Sequence, residues 1–414
     1  MNKFFREIKV DTSLLKTNSD FRNLWTGSAI TRFGSLITYV TMPFQLKEIT
    51  HSYLAVGALG VIGIVPLIIF GLYGGALADR ANRKTVVLVT EALLLLSVSV
   101  LALNSSLTHP QSWLIYLMAL VMASWEGLQR PSLNAIVPRI VNREDLGTAG
   151  ALESLTRSGG LILGTAFAGL LLATAGIIAS YAIDIFTYAI SIFFLLKLPS
   201  IPTSSLVERV NLNAILEGAT YAWTRKDLLG TYLIDTAAMV FAFPNALFPF
   251  LADSFHNTSA LGLLYSFGAI GSLVATATSG WTRRINRHGL AVIISASFWG
   301  LGIGIVGISH SLPLALFGLF LAGGADMVSG LFRGIIWNAS IPDHLRGRMA
   351  GIEMLSYSIG PQLGEIRASV SANFFGLQRA FLSGGILCIV AVNACAKALP
   401  TLRNYDAKKI RENS

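Results

Sequence analysis

The chain has 414 residues, 53% of them hydrophobic and only 13% charged, with a mean hydropathy of +0.62 and a net charge of +9. A water-soluble domain carries about 25% charged residues, so this composition excludes one and sets most of the surface against lipid. No basic stripe with interleaved aromatics accompanies the positive charge, which argues against a nucleic-acid surface.

Residues 1–23 are polar and charged and contain no apolar core of signal-peptide length, so no cleaved leader is expected. Apolar stretches of about 20 residues cross a bilayer as helices. The sequence predicts spans at 24–46, 54–77, 85–103, 112–136, 149–173 and 177–197, then at 228–251, 259–281, 289–309, 312–340, 349–375 and 380–398. Residues 198–227 form a linker: Pro199, Pro202 and a Ser/Thr cluster lead into a short amphipathic pattern of Leu212, Ile215 and Leu216, read as an interfacial helix. Residues 399–414 read as a short, polar, mobile tail. Cys388 and Cys395 are seven residues apart on the last span, about 10 Å along a helix axis. That is too far for a disulfide, and both read as small buried hydrophobes.

An even number of crossings puts both chain ends on one face, and basic residues choose which. Twenty-four Lys and Arg fall on the terminal segments and the loops sharing their face; only Lys47 and Arg379 fall in the opposite loops. This positive-inside bias predicts cytoplasmic termini in a multi-pass protein of the plasma (inner) membrane.

The sequence also repeats at an offset near 200. Asn134-Ala-Ile-Val-Pro138 ends span 4 and Asn338-Ala-Ser-Ile-Pro342 ends span 10. Spans 5 and 11 align without gaps, with identical pairs such as Glu153/Glu353, Gly160/Gly360 and Gly164/Gly364. Transporters are often built from such halves, with the substrate site at the repeat interface near mid-membrane. The expected architecture is therefore an all-α membrane protein of twelve transmembrane helices in two pseudo-symmetric six-helix bundles, 1–197 and 228–398.

Between spans 2 and 3 runs Gly75-Ala-Leu-Ala-Asp79-Arg80-Ala-Asn-Arg83-Lys84, and Gly280-Trp-Thr-Arg-Arg284 is its decayed copy, with Arg284 where Asp79 stands. Asp79 can sit near a helix amino terminus, where the dipole favours an anion. A plain positive-inside anchor is the simpler reading, but Asp79 adds nothing to such a signal. This loop resembles the signature of the major facilitator superfamily of secondary transporters. Phe21-Arg22, Pro43-x-Gln45, Asn142-Arg143-Glu144-Asp145-Leu146, Tyr181-Ala-Ile-Asp184 and Leu345-Arg-Gly-Arg348 narrow the likeness to its branch of enterobactin and macrolide-type exporters. The resemblance implies the major facilitator fold and outward movement of a bulky amphipathic molecule, a drug or a siderophore, by proton antiport. It also implies that Gly75, Asp79, Arg80, Arg83 and Lys84 form a latch to helix 11 in the outward-open state. Three features depart from the pattern, the first being Asn82 in place of a common glycine of the loop. The span 5 signature has Thr165 where such antiporters carry proline, and Arg130 is not followed four residues later by glycine.

Ionisable residues inside spans are rare, costly and usually functional. Glu126/Arg130 and Glu153/Arg157 are spaced i, i+4 and can neutralise each other on one helix face. Arg32 has no acid on its own face and needs either Asp235 or Glu126. Asp326 lies mid-span 10, where Arg333, two turns on, shares its face without being close, and Glu365 follows the kink-permitting Gly360-Pro361. A carboxyl held out of water can load and release a proton during a transport cycle, so Asp326, Glu365, Asp235 and Glu126 are the candidate coupling acids. Arg32, Arg157, Arg333 and Arg367 are the candidate cavity or substrate-binding charges. Asp184 in span 6 reads equally as structural or coupling.

No His-Glu-x-x-His, no Gly-x-Ser-x-Gly and no Cys/His cluster is present, and the six histidines fall between spans. Neither an enzyme nor a cofactor or metal is indicated. The expected partners are a small-molecule substrate, protons and membrane lipid, acting on a monomer. An importer of the same fold is the competing reading.

Overall fold

The computed structural model describes residues 12–200, 220–342 apart from 222, and 345–406. Among them there is no strand. Helices α1 (Ser19–Thr50), α2 (Tyr53–Arg80), α3 (Arg83–Ser105), α4 (Ser112–Ile140), α5 (Leu146–Thr174) and α6 (Gly176–Leu196) come first. After the linker follow α7 (Lys226–Ala242), α8 (Ala260–Ala277), α9 (His288–Ile308), α10 (Leu312–Ser340), α11 (Arg346–Phe375) and α12 (Leu377–Ala398). The expected interfacial helix around Leu212, Ile215 and Leu216 lies outside the described residues.

Eight of the described segments are long and apolar enough to cross a membrane: α3, α5 with its lead-in from Arg143, α6, α7 through Ser254, α8, α9, α10 and α12. Helices α1, α4 and α11 have the length, but charges interrupt them, among them Arg32, Glu126, Arg130, Glu365 and Arg367.

The exposed faces identify the solvent. Val89, Leu96 and Leu103 recur every seven residues on the outside of α3, while Glu91, Ser97 and Asn104 are buried. Helix α6 exposes Phe186 and Phe193 and buries Asp184, Thr187 and Ser191. Apolar residues outside and polar residues inside reverse the pattern of a helix in water; the surrounding medium is hydrocarbon.

By internal packing the chain divides into two compact units, residues 1–45 with 65–209, and residues 46–64 with 210–414. The end of α1 and the first half of α2 therefore belong with the second unit. The repeat is visible in how each unit is packed. In the first, Gly164 of α5 lies against α1, where an added Cβ would stand 3.0 Å from Leu36 Cβ and 3.2 Å from the Phe33 carbonyl. In the second, Gly364 of α11 lies against α7, where a Cβ would stand 2.8 Å from Phe243 Cβ. Small residues let membrane helices approach closely, and these two occupy equivalent positions. The turns that follow repeat as well: Gly176 (φ 82°) opens α6 and Gly376 (φ 87°) precedes α12, both in the left-handed region that favours glycine.

Three expectations are revised. Span 7 is not one helix: α7 stops at Ala242, because Pro244 has no N–H to continue the ladder, and the chain resumes as a short helix at Phe248–Ser254. The tail is not free over residues 399–406. Leu402 and Tyr405 are buried, and Leu402 fills a notch left by Gly230 and Gly289. His288 opens α9 and is buried beside Phe332 rather than lying in a loop. Cys388 and Cys395 are free thiols, the first buried with its Sγ 3.6 Å from the Ala296 carbonyl.

Candidate functional site

In the second unit, α7 and α10 build an ion cluster. Asp326 and Arg333 lie two turns apart on α10, about 10 Å along the axis, and the long Arg333 side chain closes that gap. Its Nη1 pairs with Asp235 Oδ1 on α7, and its Nη2 lies 3.5 Å from Asp326 Oδ1. The Arg333 and Asp235 side chains are 10% and 5% exposed, whereas Asp326 is 38% exposed. The closed pair is therefore Arg333–Asp235, and Asp326 is the member that looks outward. Trp337, one turn beyond Arg333, sits under the guanidinium at 5.9 Å and stacks on Tyr232 at 5.5 Å. Its indole Nε1 donates to Thr231 Oγ1 at 2.9 Å. This aromatic wall escaped the sequence reading, although the spacing of Arg333 and Trp337 placed them on one helix face.

Glu365 lies elsewhere in the same unit, against the glycine face of α2. A Cβ on Gly60 would stand 3.3 Å from Glu365 Oε2 and 2.9 Å from the Gln362 carbonyl, and Gly57 backs onto Ser369. No ion pair reaches Glu365 among the described residues.

Arg367 has a different setting. Its Nη2 donates to the Phe241 carbonyl, at the broken end of α7, and its Nη1 donates to the Ala380 carbonyl at 3.1 Å. The missing side chain of Gly384 makes the room: a Cβ there would stand 2.6 Å from the Phe241 oxygen and collide with Nη2. One carbonyl at the helix break, that of Phe241, is thus met by a cation from α11.

In the first unit Arg32 of α1 lies among Arg130 and Glu126 of α4 and Arg157 and Glu153 of α5. All five are exposed. The two i, i+4 pairs do not close: among the described residues no nitrogen–oxygen distance of 4 Å or less joins Glu126 to Arg130 or Glu153 to Arg157. Arg32 packs its methylenes on Gly160, where a Cβ would meet them at 3.6 Å. Of its two expected partners, Asp235 is engaged by Arg333 and Glu126 remains as a neighbour. Five open charges on three helices, net +1, form a polar surface inside a lipid-facing unit.

Of the five latch residues, two have described side chains, and both tie the loop to its own unit. Arg83 is buried and its Nη1 donates to the Ala135 carbonyl of α4 at 3.2 Å. Lys84 Nζ donates to the Leu196 carbonyl at 2.9 Å and to that of Leu198, a cation at the carboxyl end of α6 where the dipole favours it. Asn82, which departs from the commoner glycine of the signature, caps α3 by accepting from the Lys84 N–H at 3.1 Å. The side chains of Gly75, Asp79 and Arg80 lie outside the described ones.

An all-helical, lipid-facing chain with charge clusters on its inner helices is the build of a multi-pass membrane transporter. Comparison with known proteins gives the family: a model described as "Transmembrane secretion effector" matches residues 15–413, and the chain belongs to that family of the major facilitator superfamily. It is 29% identical over 395 residues to the enterobactin exporter EntS of Shigella boydii and to that of Escherichia coli, covering 92% of this chain and 94% of each relative. Its fold is similar to that of the nucleoside transporter NupG (TM-score 0.68, 16% identity, 93% of this chain and 99% of that one). It is similar also to a bacterial homologue of the lysosomal transporter Spinster (TM-score 0.74, 12% identity, 92% and 97%).

Proposed function

We propose that this chain is a secondary active exporter of a bulky, amphipathic, anionic small molecule of the siderophore class, driven by inward proton flow through alternating access. In this reading twelve helices form two six-helix bundles, 1–197 and 228–398, joined by the 198–227 linker. Both termini are cytoplasmic, and the protein works as a monomer in the inner membrane. Gly75, Asp79, Arg80, Arg83 and Lys84 form the conformational latch. Asp326 and Glu365 carry the coupling proton, with Asp235 holding Arg333 and Glu126 balancing Arg32.

One observation supports the substrate class above the others. Arg32, Arg130 and Arg157 stand open with only two carboxylates among them, and guanidinium groups bind anionic oxygens through paired hydrogen bonds. The relatives' printed substrate, enterobactin, points the same way. The test is complementation of an Escherichia coli strain lacking its own enterobactin exporter, scoring secreted siderophore and macrolide susceptibility together. Restored siderophore secretion that is lost in Arg32→Ala and Arg157→Ala, at unchanged membrane level, is the expected result. Restored macrolide resistance without secretion would move the substrate to a drug, and neither would remove the export reading.

A further inference from the structure

We propose that Glu91 and Asp184 form a proton-binding site inside the first unit, separate from Asp326 and Glu365. Both carboxyls are sealed, Glu91 at 3% and Asp184 at 0% exposure, at the seam of α1, α3 and α6. Glu91 Oε1 accepts from Ser191 Oγ at 3.3 Å, while Oε2 is buried with no hydrogen-bond partner among the described residues. Thr31 Oγ1 lies on the same side, also buried and also without a closed hydrogen bond. Asp184 accepts from Thr38 Oγ1 and, at 3.1 Å, from Thr187 Oγ1. Glycine at position 34 creates the room for it, since a Cβ there would stand 2.5 Å from Asp184 Oδ1.

Among the described residues no cation pairs with these acids. The titratable groups facing them are each other, Tyr181 and Tyr188 on α6, and Glu126 on α4. Arg32, the basic residue of α1 closest in sequence to this seam, is turned toward Glu126, Glu153, Arg130 and Arg157. Taking an unpaired carboxylate out of water costs far more than taking a carboxylic acid. A neutral Glu91 resolves both its missing counter-charge and its unpartnered oxygen, because a protonated carboxyl is itself a donor. A metal ion fits poorly: hard cations take six or more oxygens, and α1 and α6 pack so closely here that a Cβ on Gly34 would stand 2.8 Å from Thr187 Cβ.

The site also has a row of polar side chains beside it. Ser191, Tyr188, Asp184 and Tyr181 follow one face of α6 over about 15 Å. Tyr188 bonds Ser35 at 3.0 Å, Tyr181 bonds Gln45 at 2.8 Å, and Gln45 bonds Ser105 at 2.9 Å, at the last turn of α3. The Tyr181–Gln45–Ser105 bonds run to the end of α3 and the Tyr188–Ser35 bond stands apart from them, so this face is lined with polar side chains held in separate hydrogen bonds. The existence of the site does not depend on the export reading; its role as a second coupling station does.

The experiment is infrared spectroscopy of the purified full-length protein in nanodiscs, following the hydrogen–deuterium-sensitive C=O band of protonated carboxyls across pH, with and without sodium chloride. The wild type should show that band at neutral pH. Glu91→Gln should lose part of it and Asp184→Asn should change the remainder, while Glu365→Gln should leave both contributions in place. Ser191→Ala, which removes one hydroxyl, should shift the Glu91 band without abolishing it and serves if Glu91→Gln does not fold. An unchanged band in Glu91→Gln, or in Ser191→Ala where that stands in for it, overturns the proposal, and so does a band that sodium chloride removes. Because no transported solute enters the measurement, its failure is distinguishable from failure of export.

Discussion

Arg333 carries two carboxylates on one guanidinium, and only one of them is sealed with it. Removing one partner of a buried ion pair typically costs about 3–5 kcal/mol, whereas replacing both with apolar groups of similar volume is often neutral. Asp235→Asn alone should therefore lower the melting temperature in detergent, and Arg333→Met alone should lower it further by leaving two acids without their cation. The double variant Asp235→Leu/Arg333→Met should recover most of the loss yet remain inactive in transport. Additive losses would show that the pair is not an energetic unit. The sequence placed all three charges in spans but could not say which closed on which, because pairing depends on the rotation of α7 against α10. It assigned Arg367 to the cavity for the same reason. The break at Pro244, which leaves the Phe241 carbonyl beside Gly384, gives that guanidinium a backbone partner that spacing does not reveal.

Helix ends carry most of the interactions that join distant segments of the second unit. Arg225 grips Asp227 with Nε at 3.0 Å and Nη2 at 2.7 Å, Ser340 of α10 donates to the same carboxylate at 3.3 Å, and Ser340 and Tyr405 share a hydrogen bond at 2.7 Å. The start of α7, the end of α10 and the packed tail are thereby stapled. Asp227→Asn should lose about 2 kcal/mol of stability, the worth of hydrogen bonds to a charged group, read as a lower melting temperature in detergent. An unchanged melting temperature would show that the staple does not hold these ends together. Apolar runs and turn residues made most of the helices legible. They said nothing of this staple, because Arg225 read only as one more positive-inside charge and Tyr405 as part of a free tail.

At the scale of the molecule the repeat sets an expectation of equivalence, and the charges break it. The two units share the Gly164/Gly364 contact and the Gly176/Gly376 turn, yet the first seals Glu91 and Asp184 with no cation paired to them among the described residues, and the second gathers Asp235 and Asp326 around Arg333. The signature loop is unequal too: Asp79 has Arg284 as its counterpart. A loop kept only for membrane orientation would need the bases and not the acid. Asp79 is thus the residue that separates a latch from an anchor, with Arg83 and Lys84 already committed to α4 and α6 in either case. Asp79→Asn should insert at wild-type level and keep the wild-type melting temperature. Export should fall by roughly 5- to 150-fold, the range of a conformational coupling of 1–3 kcal/mol. Wild-type export rates in that variant, at equal membrane abundance, would reduce the loop to an orientation signal and leave the buried acids as the asymmetry through which the two halves differ.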